Sequence, residues 1–320
     1  MNYQWSNILN TNNATAQNKK SKNSLIELFR FLFALNVVKN HGLFCIESPY
    51  FGPGRVSVEF FFILSGFLFA GFLEKSREMP LKKSIPKLFY SKLSPLFIPI
   101  IIGLVCNLIS DIVTGDIWSG IWGYLWYIES MMLTMLAYTV IRRIIKNDRV
   151  FYTCVWVVFA LATAMRFFSI FHAWGNIRAF AALSLGILLS RLPRLRLKNQ
   201  WPVWLMLIPV MAACFAIVCF RLVDATWHSL LYVEFMLDNL LYPALIYLTF
   251  CIDFKCGLLN YLGALSFDLY AFQCPADLLR TLGITNLYIL FAFIIFATLI
   301  EDSAKRILAK TKRRNCNESH

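Results

Sequence analysis

Acidic side chains are scarce in this chain. Only 18 of its 320 residues are Asp or Glu, and charged residues of both signs together make up 15%. A soluble domain carries about 25% charge, so an ordinary soluble protein is excluded, as is a charged disordered chain. The nine cysteines, at positions 45, 106, 154, 214, 219, 251, 256, 274 and 316, form no Cys-x-x-Cys and no metal-ligand spacing. They read as small buried hydrophobes, so neither a disulfide scaffold nor a bound metal is expected. There is no internal repeat of the kind that marks many transporters, and no cleavable signal peptide is visible. Period-two alternation is too rare for a membrane β-barrel.

Apolar surface is what the chain has in excess: 58% hydrophobic and 16% aromatic residues, with a mean hydropathy of +0.60. The expected fold class is therefore all-α, a polytopic helical membrane protein. A crossing helix needs about 20 apolar residues. Ten stretches qualify, at 24–42, 57–75, 95–113, 122–141, 151–171, 175–190, 201–221, 229–251, 259–279 and 287–305, the sixth being short. Residues 1–23 are polar and rich in Asn and Lys, and are expected as a disordered cytoplasmic tail. Residues 24–306 form the expected transmembrane domain and 307–320 a basic cytoplasmic tail.

The net charge of +13 invites a nucleic-acid reading, but the positions of the charges oppose it. With the N-terminus cytoplasmic, the inner segments hold 24 of the 31 Lys and Arg residues, among them Lys82, Lys83, Lys87, Lys92, Arg142, Arg143, Arg191 and Arg194. Lysine and arginine concentrate on the cytoplasmic side of membrane proteins. The asymmetry thus predicts an even number of spans, both termini inside, a multi-pass protein of the plasma (inner) membrane, a lipid bilayer as surroundings and no nucleic-acid partner.

A charge within hydrocarbon costs about 2.5–3.5 kcal/mol or more and marks a functional site by default. Arg30 and His41 lie in the first span, eleven residues apart. At 3.6 residues per turn that is about three turns, which puts both on one face. Glu59 opens the second span, which runs back down, so it is expected to return to the depth of His41 and orient it as a general base. Ser65 is either a nucleophile or, with Gly66, a close helix-packing point. Glu129, Glu234 and Asp238 either line a common cavity or pair with Arg166 and Arg178. Arg30 and Glu301 come out at similar depth and are expected to pair, with Glu27, one turn below Arg30, as the substitute partner.

These residues carry a resemblance. Arg30-x10-His41, Val58-Glu59-Phe60-Phe61-Phe62-Ile63-Leu64-Ser65-Gly66-Phe67, Lys92-Leu93-Ser94-Pro95, Leu125-Trp126-Tyr127, Arg178 through Gly186, the Gly263-x-x-Ser266-Phe267-x-x-Tyr270 element containing Asp268, and Ile300-Glu301 occur in that order. Together they resemble the integral-membrane acyltransferase-3 family, in its stand-alone form. Two positions depart from the family pattern. Phe89 and Lys92 stand where two arginines are usual, and Gln273 stands where many members have His.

The resemblance implies transfer of an acyl group, commonly acetyl from acetyl-CoA, to a sugar hydroxyl of a surface polysaccharide, oligosaccharide or lipid-linked glycan. The acyl-CoA would be a substrate, with no cofactor bound. It implies catalytic roles for His41, Glu59 and Arg30, and donor-phosphate contacts from Lys83, Lys87 and Lys92. Ser65, Gly66, Trp126, Asp268, Tyr270 and Glu301 would support the site. Two rivals remain at this stage: a transporter or flippase of a lipid-linked or soluble sugar, and an inactive regulatory relative.

Overall fold

A computed structural model describes residues 23–38, 55–94, 97–114, 119–168, 175–195, 199–220, 227–272, 278–279, 282–284 and 286–318. The elements among them are helices: α1 (Ser24–Val38), α2 (Arg55–Ser76), α3 (Leu81–Leu93), α4 (Phe97–Thr114), α5 (Ser119–Ile144), α6 (Asp148–Phe167), α7 (Gly175–Leu189), α8 (Trp201–Phe220), α9 (Trp227–Met236), α10 (Tyr242–Phe250), α11 (Gly257–Ala271) and α12 (Leu287–Glu318). Each of the ten apolar stretches contains a helix. Three segments are long and apolar enough to cross a membrane by length and composition, namely Ser57–Ser76, Asp148–Phe167 and Tyr232–Phe250. Gly175–Leu189 and Trp201–Ile217 are apolar but shorter.

Two elements were not expected. The lysine-rich segment after α2, read as a loop, contains α3, which buries Ser84 and Leu88 and exposes Lys82, Lys83 and Lys87. The eighth stretch is not one regular helix, because α9 and α10 are joined by a π-helical turn, Leu237–Leu241. Pro243 in the first turn of α10 supplies the reason. A proline ring clashes with the carbonyl four residues back, and the wider π turn relieves that clash.

Glycines set the two closest helix crossings. A Cβ on Gly66 of α2 would overlap the backbone carbonyl of Leu183 in α7, and one on Gly186 of α7 would overlap that of Ile63 in α2. The two helices therefore meet backbone to backbone, as small residues allow in membranes. Gly263 of α11 is pressed in the same way against Glu27 of α1. Gly66 is thus a packing residue, one of the two readings open from the sequence.

The start of α1 is tied down by hydrogen bonds. Asn23 caps the helix, its Oδ1 accepting from Leu25 N at 3.0 Å, while its amide donates to the carbonyls of Thr249 (2.8 Å) and Ile252 (2.7 Å) at the end of α10. Ser24 Oγ accepts from Cys256 N at 2.7 Å, at the start of α11. These bonds satisfy end groups that a helix leaves unpaired and fix α1 between α10 and α11.

The basic loops meet at this same end of the bundle. Arg142, its side chain fully buried at the end of α5, bonds Asp148 at 2.5 Å and Glu74 at 3.3 Å. Tyr152 donates to Glu74 at 2.7 Å, and Arg191 stacks on the Tyr152 ring. The ends of α2, α5 and α7 and the start of α6 are thereby joined in one charged node. That agrees with the grouping of these segments on one side, which the charge pattern required.

Candidate functional site

A cleft opens between α1, α2, α3, α5 and α11. It encloses about 1020 Å³. Apolar side chains such as Val37 and Phe61 form most of its wall, and the polar groups among its lining residues are Arg30, Lys92, Ser65, Tyr127 and Ser266. Two cations and three hydroxyls face the cleft, and no carboxylate lines it among the described residues. A mostly apolar pocket with a few convergent polar groups is the usual form of a small-molecule site.

Each polar group has a traceable anchor. Arg30 projects from α1 and donates Nη1 to Glu27 Oε2 at 2.7 Å, one turn back on the same helix. The expected Arg30–Glu301 pair is therefore not the one that forms. The α1–α11 crossing over Gly263 holds Glu27 beside Arg30, whereas Glu301 is buried on α12. Ser65 precedes the Gly66 crossing and faces Tyr127 across the cleft, within hydrogen-bonding reach of its phenol. Tyr127 packs against Phe62, the rings tilted by 39° with centroids 4.7 Å apart. Trp126 beside it covers Gly175 at the start of α7. Ser266 donates to Gly263 O at 2.8 Å and borders the cleft from α11.

The three donor-site lysines separate. Lys92, in the last turn of α3, lines the cleft, and burial pulls its ammonium pKa below the ordinary value of 10.5. Lys83 and Lys87 lie on the exposed face of α3 and do not line it. One helix thus points a single lysine inward and leaves its neighbours outside.

Above the cleft sits a buried ionic cluster. Glu59 is fully buried, and its Oε1 accepts from Arg178 Nε at 2.5 Å and lies 3.4 Å from Arg166 Nη2. Arg166 also donates to Asp238 Oδ2 at 2.8 Å. Four helical segments, α2, α6, α7 and the π turn, are joined by these bonds. Asp238 pairs with Arg166 and also lines a small pocket with Glu234, so both readings open for it apply, while Glu129 is exposed.

Two contacts fix the depth of Glu59 against α1. Asn36 bonds Ser57 at 2.7 Å, and the Phe33 and Phe60 rings lie 4.4 Å apart. That antiparallel register sets Glu59 level with Ala34, about one turn below Val38. His41 and Gln273 lie outside the described residues, as does the side chain of Tyr270. Asp268 is buried on α11.

An apolar helical bundle around such a cleft is, by its sequence domain, a membrane acyltransferase: the acyltransferase-domain model matches residues 23–300. More narrowly, the chain belongs to the acyltransferase-3 family. No curated protein and no solved structure matches it.

Sequence reasoning singled out Arg30, Ser65, Lys92 and Gly66. It passed over Tyr127 as a polar group of the cleft, although the aromatic after Trp126 was in view. It ranked Glu27 second to Glu301, although the three-residue spacing of Glu27 and Arg30 is the signal for an intrahelical pair.

Proposed function

We propose that the protein is an O-acyltransferase. It moves an acyl group, acetyl in the simplest case, from cytoplasmic acyl-CoA to a sugar hydroxyl of a cell-surface polysaccharide, oligosaccharide or lipid-linked glycan. It does so in the plasma (inner) membrane, with ten spans and both termini cytoplasmic. The observation that carries this reading is the cleft, which offers Arg30 and Lys92 to a ligand bearing phosphates and a thioester.

In this reading Lys92 meets a donor phosphate, and burial strengthens that charge-assisted contact. Arg30, held at Nη1 by Glu27, turns its remaining donors to the thioester carbonyl and stabilises the developing oxyanion. His41, three residues beyond Val38 on the same helix-forming segment, takes the proton of the acceptor hydroxyl. The hydroxyl oxygen bonds to the carbonyl carbon, the carbon–sulfur bond breaks, and the departing thiolate recovers a proton. Glu59 acts at one remove: it fixes Arg178 and Arg166 and so the register of α2 against α6 and α7. Lys83 and Lys87 contribute only long-range attraction from the outer face of α3.

The test is reconstitution into liposomes with labelled acetyl-CoA on one side and glycan acceptors on the other. Label appearing on the glycan supports the reading. Glycan crossing the bilayer unlabelled overturns it in favour of transport.

Lys92 makes a sharper expectation. Its folded pKa lies below its unfolded one, so the buried ammonium costs stability in full at every pH below the folded value, and the cost shrinks as pH rises above that value and is gone above the unfolded one. Lys92→Met should therefore raise the melting temperature of the ligand-free protein at neutral pH while raising the donor KM about tenfold. In the wild type, donor affinity should fall as pH rises through the lowered pKa. A Lys87→Met protein should show neither effect. Equal donor KM values in Lys92→Met and wild type would place the phosphates elsewhere.

A further inference from the structure

The outer face of α3 takes part in neither the packing nor the acyl-transfer steps above. The helix buries Ser84 and Leu88, and Lys92 turns to the cleft. Lys82, Lys83, Pro86, Lys87, Phe89 and Tyr90 are exposed.

Two stripes make up this face. Lys82, Pro86 and Phe89 follow one another at i, i+4 and i+7, and so do Lys83, Lys87 and Tyr90. Residues so spaced share one side of a helix. Each stripe begins with a lysine and ends in an aromatic ring seven residues on, about 10 Å along the axis. The face is basic at one end and aromatic at the other.

The lysines do nothing for the fold. Lys82, Lys83 and Lys87 make no ion pair with any described residue, and Leu81–Leu93 contains no acidic residue. Lys83 and Lys87, like charges one turn apart, repel each other. The rings are bare as well: Tyr90 is 77% exposed and Phe89 38%. Such a face asks for an occupant that is anionic and apolar at once. A free phosphate or nucleotide would meet the lysines and leave the rings in water.

The next helix indicates what that occupant is. On α4, Phe97, Ile101, Val105, Leu108 and Ile112 form an exposed apolar stripe, about 22 Å long at 1.5 Å per residue. In a membrane protein a bare stripe of that length lies against lipid tails. The aromatic end of α3 is the end that leads into α4, and the basic end leads back to the charged node, where Arg77 bonds Asp148 at 3.2 Å. Apolar stripe, aromatic rings and lysines thus follow in the order in which a membrane interface is crossed.

We propose that the outer face of α3 is a binding surface for anionic phospholipid headgroups. Lys83 and Lys87, about 6 Å apart along the axis, bracket one headgroup phosphate and Lys82 meets another. Phe89 and Tyr90 lie among the glycerol and upper acyl carbons. The attraction is that of basic segments to an anionic leaflet. The surface is separate from the donor cleft and does not depend on the acyl-transfer reading.

The experiment uses the full chain in nanodiscs of phosphatidylcholine with a minority of phosphatidylglycerol. A benzoylphenylalanine photocrosslinker is placed at Tyr90, and mass spectrometry identifies the molecule it captures. Phosphatidylglycerol adducts should exceed that lipid's share of the bilayer about fivefold or more, the enrichment that one basic residue gives at an anionic surface. Lys83→Gln combined with Lys87→Gln should remove most of the enrichment while lipid adducts persist. Lys83→Arg with Lys87→Arg should keep it, and so should Lys255→Gln, which removes an exposed charge outside α3. Adducts in proportion to bilayer composition in the wild type, or an enrichment that the double glutamine variant retains, overturn the proposal. A probe that captures no lipid overturns it as well and leaves the face to a soluble acidic partner. The readout needs no turnover, so its outcome is separate from that of the enzymatic reading.

Discussion

A His41→Ala protein should reach the membrane in normal amounts and melt within a few degrees of wild type, yet transfer acyl groups about 10²–10⁴ times more slowly. The expectation follows from the chemistry of the step. A sugar hydroxyl is a poor nucleophile until its proton is taken, and the base must titrate near neutral pH. Histidine does so without help, and this chain has only four. His41 alone follows Arg30 on the same segment, and Arg30 faces the cleft. The variant should still bind the donor, because Lys92 and Arg30 are untouched. Labelled acetyl-CoA transfer, scored against protein level and donor KM, separates the outcomes. Near-normal turnover at normal protein level would remove His41 from the mechanism. A raised donor KM with intact turnover would make it a binding residue.

Glu59→Gln should fail for a different reason, and its main effect should be on stability. The carboxylate is fully buried and is shared by two arginines drawn from two other helices. Removing its charge leaves Arg178 facing a neutral amide and Arg166 relying on Asp238. Breaking a buried pair from one side costs about 3–5 kcal/mol, because the partner's desolvation is no longer offset. Glu59→Leu with Arg178→Met should recover part of the loss, since replacing both partners of a buried pair by apolar groups is often close to neutral. A double-mutant cycle on thermal or denaturant stability should therefore give a coupling of about 1–3 kcal/mol. Additive losses would show that the two residues do not act together. A stable Glu59→Gln protein with lost turnover would return Glu59 to a direct catalytic role.

That second expectation differs from the one drawn from the sequence, where Glu59 was set opposite His41, and the difference is instructive. Counting residues along two antiparallel helices requires the length of the turn between them, and composition does not supply it. The Asn36–Ser57 bond and the Phe33–Phe60 contact supply it directly. Arg30 shows the same limit from another side. Its depth was compatible with Glu301, but depth is one coordinate of three, and Glu27 needed no long-range packing to be near. For Lys83, Lys87 and Lys92, a run of lysines looked like one anionic-ligand site until α3 gave each its own direction. In a helix a residue nine positions on is half a turn round, so Lys83 and Lys92 face opposite ways.

What the sequence determined by itself was the solvent of the fold, its apolar helices and its family, because these depend on local quantities: apolar run length, the scarcity of charge and the order of short motifs. It also marked Gly66 as a point of close packing. Only the tertiary structure decided which charges pair and which lysine enters the cleft. In a low-dielectric interior an ion takes the opposite charge that helix packing brings within about 4 Å, and that distance is set by crossing points and register. The π turn before Pro243 joins both levels. The proline is visible in the chain, but that its widened turn delivers Asp238 to Arg166, two residues 72 apart in sequence, is a property of the packed helices alone.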